Sequence, residues 1–253
     1  MKKFLLLLVM PCMVVAQPYS ANTDGASNAS RGAATESGCD AISDNPFTNC
    51  GFESGDFTGW VVQDINAPFF PMSVLGSGID VGFGFFTSEP AQGTNTAYSG
   101  FDGDGPGLIS LSQDVALPAG ALTVEFDYRA AWDLLTFGAT QDREFLVQIE
   151  PTGGGAALAV TPILTAPAGD TTLDTGNLHG VVDVSAFAGQ AVRVNFLMDI
   201  PENFTGPAIM QIDNVYVTED AVPVPAGTPL AWSLLIFLLM FTVTSVGRGI
   251  RTA

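Results

Sequence analysis

Residues 122–129, LTVEFDYR, decide the fold class of this chain. Apolar and polar side chains alternate there, and a repeat of two residues is typical of a β-strand with one buried face. The alternation returns at residues 143–150 and 192–198, while residues 209–217 are more continuously apolar, as in a strand deep in a sandwich. Turn residues separate these stretches, and no helical stripe interrupts them. We therefore expect an all-β, two-sheet antiparallel sandwich over residues 46–220.

The composition narrows the classes of function. The 253 residues carry 8 Lys+Arg against 26 Asp+Glu, a net charge of −18, which argues against nucleic acid as a partner. One His and three Cys are too few for a zinc enzyme, and no nucleophile elbow or phosphate-binding Gly loop occurs. These observations favour a non-enzymatic protein. A glycoside hydrolase that uses two carboxylates, with Asp133, Asp142 and Glu144 as candidates, is the remaining enzymatic alternative.

The N-terminal region has the features of an export signal. Residues 1–16, MKKFLLLLVMPCMVVA, combine a basic start, an apolar run and a small-residue exit, which predicts a cleaved signal peptide. Residues 17–45 are small and polar without periodicity, so we expect a flexible leader. Cys39 and Cys50 are then the only cysteines left, and an oxidising compartment favours a disulfide between them over two free thiols.

The C-terminal region predicts a membrane segment. A Pro-rich linker at residues 221–229 leads into residues 230–246, which carry no charge and, at ~1.5 Å per residue, just span a bilayer core. Arg248 and Arg251 follow and indicate a cytoplasmic C-terminus, whereas a buried core helix is the alternative. We therefore expect a single transmembrane helix in an anchor or sorting tail over residues 230–253.

Residues 222–253 resemble the C-terminal sorting tails called PEP-CTERM and IPTL-CTERM domains. The likeness lies in a short Pro motif, VPVP, then the apolar span and a short end containing arginine. Such tails imply delivery to the cell surface or extracellular matrix of a Gram-negative bacterium, with the membrane and a sorting protease as partners. Whether a protease removes the tail or the tail stays as an anchor is left open by the sequence.

Three stretches in the middle resemble galactose-binding-like jelly rolls, which include carbohydrate-binding modules and MAM domains. They are residues 49–60 (NCGFESGDFTGW), 183–190 (DVSAFAGQ) and 211–215 (QIDNV). The resemblance implies a jelly-roll sandwich in which the positions of Glu53 and Asp213 hold a structural calcium ion, whose ligands are carboxylate and carbonyl oxygens. The alternative is that both carboxylates face water or cap turns.

Two non-enzymatic functions follow from these features. The first hypothesis is a calcium-stabilised structural protein of the cell surface, and the alternative is a module that binds an extracellular polysaccharide. Sugar binding needs exposed aromatic rings beside polar groups. Most of the 18 Phe and Trp60 belong to the expected core, so no ligand-binding residue is assigned. Aromatic residues in loop-like stretches are available as platforms: Phe69, Phe70, Phe83, Phe85, Phe86, Tyr98, Trp132 and Phe137.

Overall fold

A computed structural model describes residues 38–219, and it is an antiparallel β-sandwich. A one-turn helix, α1 (Leu134–Phe137), and two 3-10 turns (Cys39–Ala41 and Ser185–Phe187) complete the described fold. The strands in chain order are β1 (Val61–Gln63), β2 (Pro68–Gly76), β3 (Asn95–Gly103), β4 (Gly107–Ala116), β5 (Ala121–Asp133), β6 (Arg143–Pro151), β7 (Ala159–Ala166), β8 (Thr171–Thr172), β9 (Leu178–Asp183), β10 (Ala191–Ile200) and β11 (Ala208–Glu219).

The strands form two sheets, and within each sheet all neighbouring strands pair in an antiparallel manner. One sheet has the order β1-β4-β10-β6-β7, and the other has the order β2-β3-β11-β5-β8, with β9 also paired to β5. Strands that are distant in sequence lie side by side, since β10 fills the gap between β4 and β6 and β11 fills the gap between β3 and β5. The expected two-sheet antiparallel sandwich is confirmed.

The core lies between the sheets and is built from the predicted alternation. In β5, Val124 and Phe126 are fully buried, while the alternating residues Thr123 and Glu125 face outward and are partly exposed. The Phe126 ring meets Phe196 of β10 edge-on at 4.9 Å between centroids, a geometry that aromatic pairs favour. Side chains from both sheets therefore interdigitate, as the period-two pattern requires.

The segment of residues 49–60 closes one side of the core. Trp60 is buried, stacks on Phe47 at 5.7 Å and packs against Phe52 at 5.4 Å. Its indole Nε1 donates a hydrogen bond to the carbonyl oxygen of Asn49 at 3.1 Å, which satisfies the polar end of the buried ring. The expectation that Trp60 belongs to the core is confirmed.

The first described residues belong to the fold and not to a flexible leader. Cys39 is buried and forms a disulfide with Cys50, with 6.1 Å between the Cα atoms, so the predicted bond is present. The Cys39 amide donates to Asn214 Oδ1 at 2.8 Å, and Asn45 Nδ2 donates to the Val215 carbonyl at 3.0 Å. Residues 38–45 are thereby held against β11, which corrects the boundary predicted at residue 45.

Both ends of the chain lie outside the described residues. The predicted signal peptide (1–16), the linker (221–229) and the tail (230–253) therefore stay predictions. Between residues 38 and 219, no helix combines the length and the apolar character that crossing a membrane would require.

The long connection from β2 to β3 folds over the outer face of the second sheet. It builds a small second core in which Val81 and Phe86 pack on Tyr98, Ala131 and Ile209. The Arg129 guanidinium carbon lies 4.5 Å from the centre of the Phe86 ring, within range for a cation–π contact. This packing fixes the connection that contains Phe83.

Candidate functional site

Glu53 and Asp213, the two predicted calcium ligands, hold the same loop. The Glu53 carboxylate accepts hydrogen bonds from the backbone amides of Thr94 and Asn95, at 2.9 and 2.8 Å. Asp213 Oδ2 accepts from the amide of Gln92 at 2.9 Å. The two carboxylates therefore hold residues 92–95, which include the first residue of β3 and are called loop 92–95. We name Glu53, Asp213 and this loop the Asp213 site.

The Asp213 carboxylate is buried, and no arginine or histidine within residues 38–219 forms an ion pair with it. Its residue is only 3% exposed, and the amide of Asn214 donates to Oδ1 at 2.7 Å. Burial, together with the nearby Asp127, raises the pKa of the Asp213 carboxyl to about 8, against the opposing effect of hydrogen bonds from backbone amides. A charged carboxylate in this position is costly unless a cation accompanies it.

The donor set of the Asp213 site fits a hard cation such as calcium. It offers the carboxylate oxygens of Asp213 and Glu53 and the side-chain oxygen of Gln92, which are ligand types that calcium uses. Geometry alone would also group Cys39, Asp40 and Cys50 as possible ligands. The two sulfur atoms of that group form the disulfide, so no thiolate is left to bind a metal.

The other end of β3 carries a groove lined by aromatic rings. Four phenylalanines are more than two-fifths exposed: Phe69 (42%), Phe83 (45%), Phe137 (50%) and Phe204 (50%). They line one groove together with Asp102, Gly206 and Pro207, and the groove holds about 340 Å³ of non-protein space, part of it open to solvent. Every exposed aromatic side chain between residues 38 and 219 therefore lies at one place. We call it the phenylalanine groove.

The four rings come from separate segments, and different contacts hold each segment in place. Phe69 lies in β2 and packs on Phe83 at 5.3 Å. Phe137 ends α1, whose first turn is capped by the Asp133 side chain accepting from the Thr136 amide at 3.1 Å. The amide of Phe204 donates to the Gly103 carbonyl at 2.8 Å. The groove is thus assembled only in the folded chain.

Two of these phenylalanines have an unusual backbone conformation. Phe83 has φ 56° and Phe204 has φ 47°, in the left-handed region that bulky residues rarely adopt. Such conformations persist only where the surroundings enforce them, and they are common at functional sites. Phe52 also has φ 58° but is fully buried, so strain alone does not mark a site. At Phe83 and Phe204 it coincides with exposure in one groove.

Gly206 allows the two ends of the groove to approach each other. It has φ 130°, and a Cβ atom there would lie 2.7 Å from the Asp133 carbonyl oxygen and 3.1 Å from Phe137 Cβ. Any larger residue would push the β10–β11 connection away from α1. Gly206 therefore sets the spacing between Phe204 and Phe137.

A buried ion pair forms the polar part of the groove. Asp102 lines it and pairs with Arg143, at 3.1 Å between Oδ1 and Nη2, and Arg143 is fully buried. Burial raises the pKa of the Asp102 carboxyl, and the Arg143 guanidinium acts against that shift. Arg143 also donates to the Phe101 carbonyl and to Thr205 Oγ1. The groove therefore combines apolar rings with a carboxylate that is held in place.

Sequence reasoning found part of this site. Phe69, Phe83 and Phe137 were among the eight aromatic candidates, and the structure exposes these three while burying Phe86, Tyr98 and Trp132. Phe204 was missed, although it precedes Gly206 in a stretch rich in turn residues, a signal that was available. The Asp102–Arg143 pair joins two distant strands and left no local pattern.

Two of the three carboxylates considered for hydrolysis have structural roles. Asp133 caps α1 and also accepts from Thr171 Oγ1 at 2.6 Å. Asp142 accepts from the amide of Ala168 at 2.9 Å. Glu144 is exposed on β6. The two aspartates thus stabilise turns around the groove.

Comparisons with known proteins identify similar folds but no family. No protein-family model matches the chain, including its C-terminal tail, and no curated protein matches it. Among solved structures, TmCBM61 bound to β-1,4-galactotriose has 19% identity and a TM-score of 0.46, covering 70% of this chain and 100% of that one. CBM27-1 of Caldicellulosiruptor saccharolyticus bound to mannohexaose has 15% identity and a TM-score of 0.43, covering 68% and 97%.

A third similar structure has a different role. The K1 cleaved adhesin domain of Lys-gingipain from Porphyromonas gingivalis has 18% identity and a TM-score of 0.43, covering 68% of this chain and 96% of that one. With TM-scores below 0.5 and identities below 20%, these likenesses do not indicate what this chain binds.

Proposed function

We propose that the chain is a non-enzymatic glycan-binding module, and that the phenylalanine groove is its binding site. One observation carries this proposal: all exposed aromatic side chains of the described residues line a single groove beside a fixed carboxylate. Aromatic rings stack on the apolar C–H faces of sugar rings, and the carboxylate accepts hydrogen bonds from sugar hydroxyl groups. The alternative of a purely structural protein would leave this convergence without a role.

The test is a binding survey with the full chain on immobilised neutral and acidic polysaccharides, followed by titration calorimetry. Phe137→Ala and Phe204→Ala should each weaken binding by about 3–10-fold, because one aromatic contact contributes roughly 0.5–1.5 kcal/mol. Leu158→Ala is the matched control, since Leu158 is 54% exposed but lies outside the groove. Binding to no glycan, or equal losses in all three variants, would refute the proposal.

Calcium is proposed as a structural ion of this module, held by Asp213 and Glu53. The unpaired, buried Asp213 carboxylate supports it, because a divalent cation would offset the cost of burying that charge. The full chain should melt at a higher temperature in about 2 mM CaCl₂ than in EDTA. An unchanged melting temperature would remove the ion from the proposal.

Export and surface delivery complete the proposed function. Residues 1–16 support secretion, and residues 222–253 support delivery by a sorting tail through the membrane, with a sorting protease as the partner. Mass spectrometry of the mature protein tests both, because it reports where each end is cut. Recovery of the uncut chain from the cytosol would contradict this part of the proposal and leave the groove unaffected.

A further inference from the structure

The described part of the chain has no cationic side chain free to receive an anion. Lysine occurs only at Lys2 and Lys3, so residues 38–219 contain only arginines and one histidine as basic groups. Each of these groups is bonded to a carboxylate within residues 38–219: Arg129 to Asp174 at 2.7 Å, Arg143 to Asp102 at 3.1 Å, Arg193 to Asp114 at 2.7 Å, and His179 to Asp127 at 2.9 Å and Glu125 at 3.0 Å.

At the phenylalanine groove the basic group is also buried. Arg143 is the basic group next to the groove, but it is fully buried and bonded to Asp102, the Phe101 carbonyl and Thr205. Asp102, and not Arg143, is among the residues that line the groove. A ligand that enters therefore meets a carboxylate before it meets a cation.

A second carboxylate lies beside the groove. Glu202 accepts from the Thr140 amide at 3.0 Å and from Thr205 Oγ1 at 3.1 Å, and Thr205 is the neighbour of Phe204. A uronate or sulfate group placed here would lose its hydration without gaining a cationic partner, and the Glu202 carboxylate, which no described basic side chain neutralises, would repel it. A neutral sugar has neither cost, because its hydroxyl groups can donate to carboxylates and its C–H faces can stack on rings.

Building on the proposed glycan-binding function, we propose that the phenylalanine groove selects uncharged sugar residues and rejects glycans that carry carboxylate or sulfate groups. The selection comes from the arrangement of charges and not from the shape of one particular sugar. It applies to whichever neutral polysaccharide the binding survey identifies.

The experiment compares each neutral polysaccharide that binds with its own derivative oxidised to uronate at C6, so that linkage and chain length are matched. The full chain should bind the oxidised form at least 10-fold more weakly in dilute buffer. Methyl-esterification of the oxidised form removes the charge and should restore binding. The difference should shrink as NaCl is raised, because salt screens repulsion between exposed charges.

A charge-introducing variant gives an independent readout. Leu135 is 60% exposed on α1, the helix that supplies Phe137, and is not among the lining residues of the groove, so Leu135→Arg adds a cation on that helix without changing the lining. It should narrow the difference between neutral and oxidised ligands several-fold. Leu158→Arg is the matched control and should leave the ratio unchanged.

The outcomes distinguish a failure of the charge selection from a failure of the proposed glycan-binding function. If no neutral polysaccharide binds, the proposed function fails. If neutral and oxidised forms bind equally, or the oxidised form binds more tightly, the function stands and the charge selection is overturned. The same holds if esterification does not restore binding.

Discussion

Strand β3 has a fixed end and an open end, and the two are built differently. Its first residue, Asn95, belongs to the Asp213 site, which has many hydrogen bonds and a buried carboxylate. The disulfide lies in the segment held against β11 beside this site. At the end of β3, beside Asp102, the phenylalanine groove leaves four rings exposed to solvent. Asn95 and Asp102 are seven residues apart along β3, which corresponds to roughly 23 Å. Changes at the first end should alter stability, and changes at the second should alter binding.

The largest expected effect is loss of the disulfide at the fixed end. The Cys39→Ser/Cys50→Ser variant should lose about 2–4 kcal/mol of unfolding free energy, because the short ring restricts the unfolded chain. Urea denaturation of the full chain measures this loss. Glycan affinity in native buffer should stay within about two-fold of the wild type. A large loss of affinity with retained fold would show that the two ends are coupled.

The second effect concerns the charge of Asp213. Because its pKa rises to about 8 in the folded chain, the folded state keeps a proton that the unfolded state releases from about pH 4 upward. The unfolded state therefore binds fewer protons over this window, and stability falls as pH rises from about 4 to about 8. Asp213→Asn should flatten this fall, and calcium should flatten it in the wild type but not in the variant. Melting curves across the pH range test both.

The third effect isolates the close packing at loop 92–95. Gly93 has φ 65°, and a Cβ atom there would lie 2.4 Å from the Glu53 carboxyl carbon. Gly78 has φ 82° with nothing within 4 Å of such an atom, so it shares the backbone strain without the collision. Both Gly→Ala variants should lose about 1–2 kcal/mol from the left-handed conformation. Gly93→Ala should lose more than Gly78→Ala, and equal losses would count against the close grip on this loop.

The smallest effect lies at His179 on β9, which pairs with β5. Hydrogen bonds from His179 to Asp127 and Glu125 raise the histidine pKa against the opposing effect of burial. The stability from this contact is full below the unfolded pKa of about 6.5 and is lost as pH rises through the higher folded value. His179→Gln should therefore cost under about 1 kcal/mol at pH 6 and less at pH 9. A larger cost at pH 9 would contradict this ionic contribution.

The fold was predictable because its signal is local. The alternation in residues 122–129 shows which side chains of β5 are buried, and this requires no knowledge of the partner strands. The same stretch cannot reveal that β11 pairs with it, since that choice depends on packing between distant segments. The resemblance predicted that Glu53 and Asp213 lie at one site, and the structure brings both side chains to loop 92–95.

The phenylalanine groove was predictable only in part. A sequence shows that Phe137 and Phe204 exist but not which phenylalanines stay outside the core. Their exposure depends on the left-handed backbone at Phe204 and on the close approach that Gly206 allows. Arg143 begins the alternating stretch at residues 143–150, and it is fully buried because Asp102 of another strand neutralises it. Such long-range compensation has no local pattern.

The pairing of every arginine in the sandwich also bears on how the chain is digested. Trypsin cleaves after lysine or arginine, and between residues 38 and 219 its only targets are Arg129, Arg143 and Arg193. Each lies inside a strand and is tied to a carboxylate, so cleavage there requires that strand to leave its sheet. Arg31 and Arg248 flank the sandwich in the sequence. Limited proteolysis would thus report directly on how often the strands of the sandwich open.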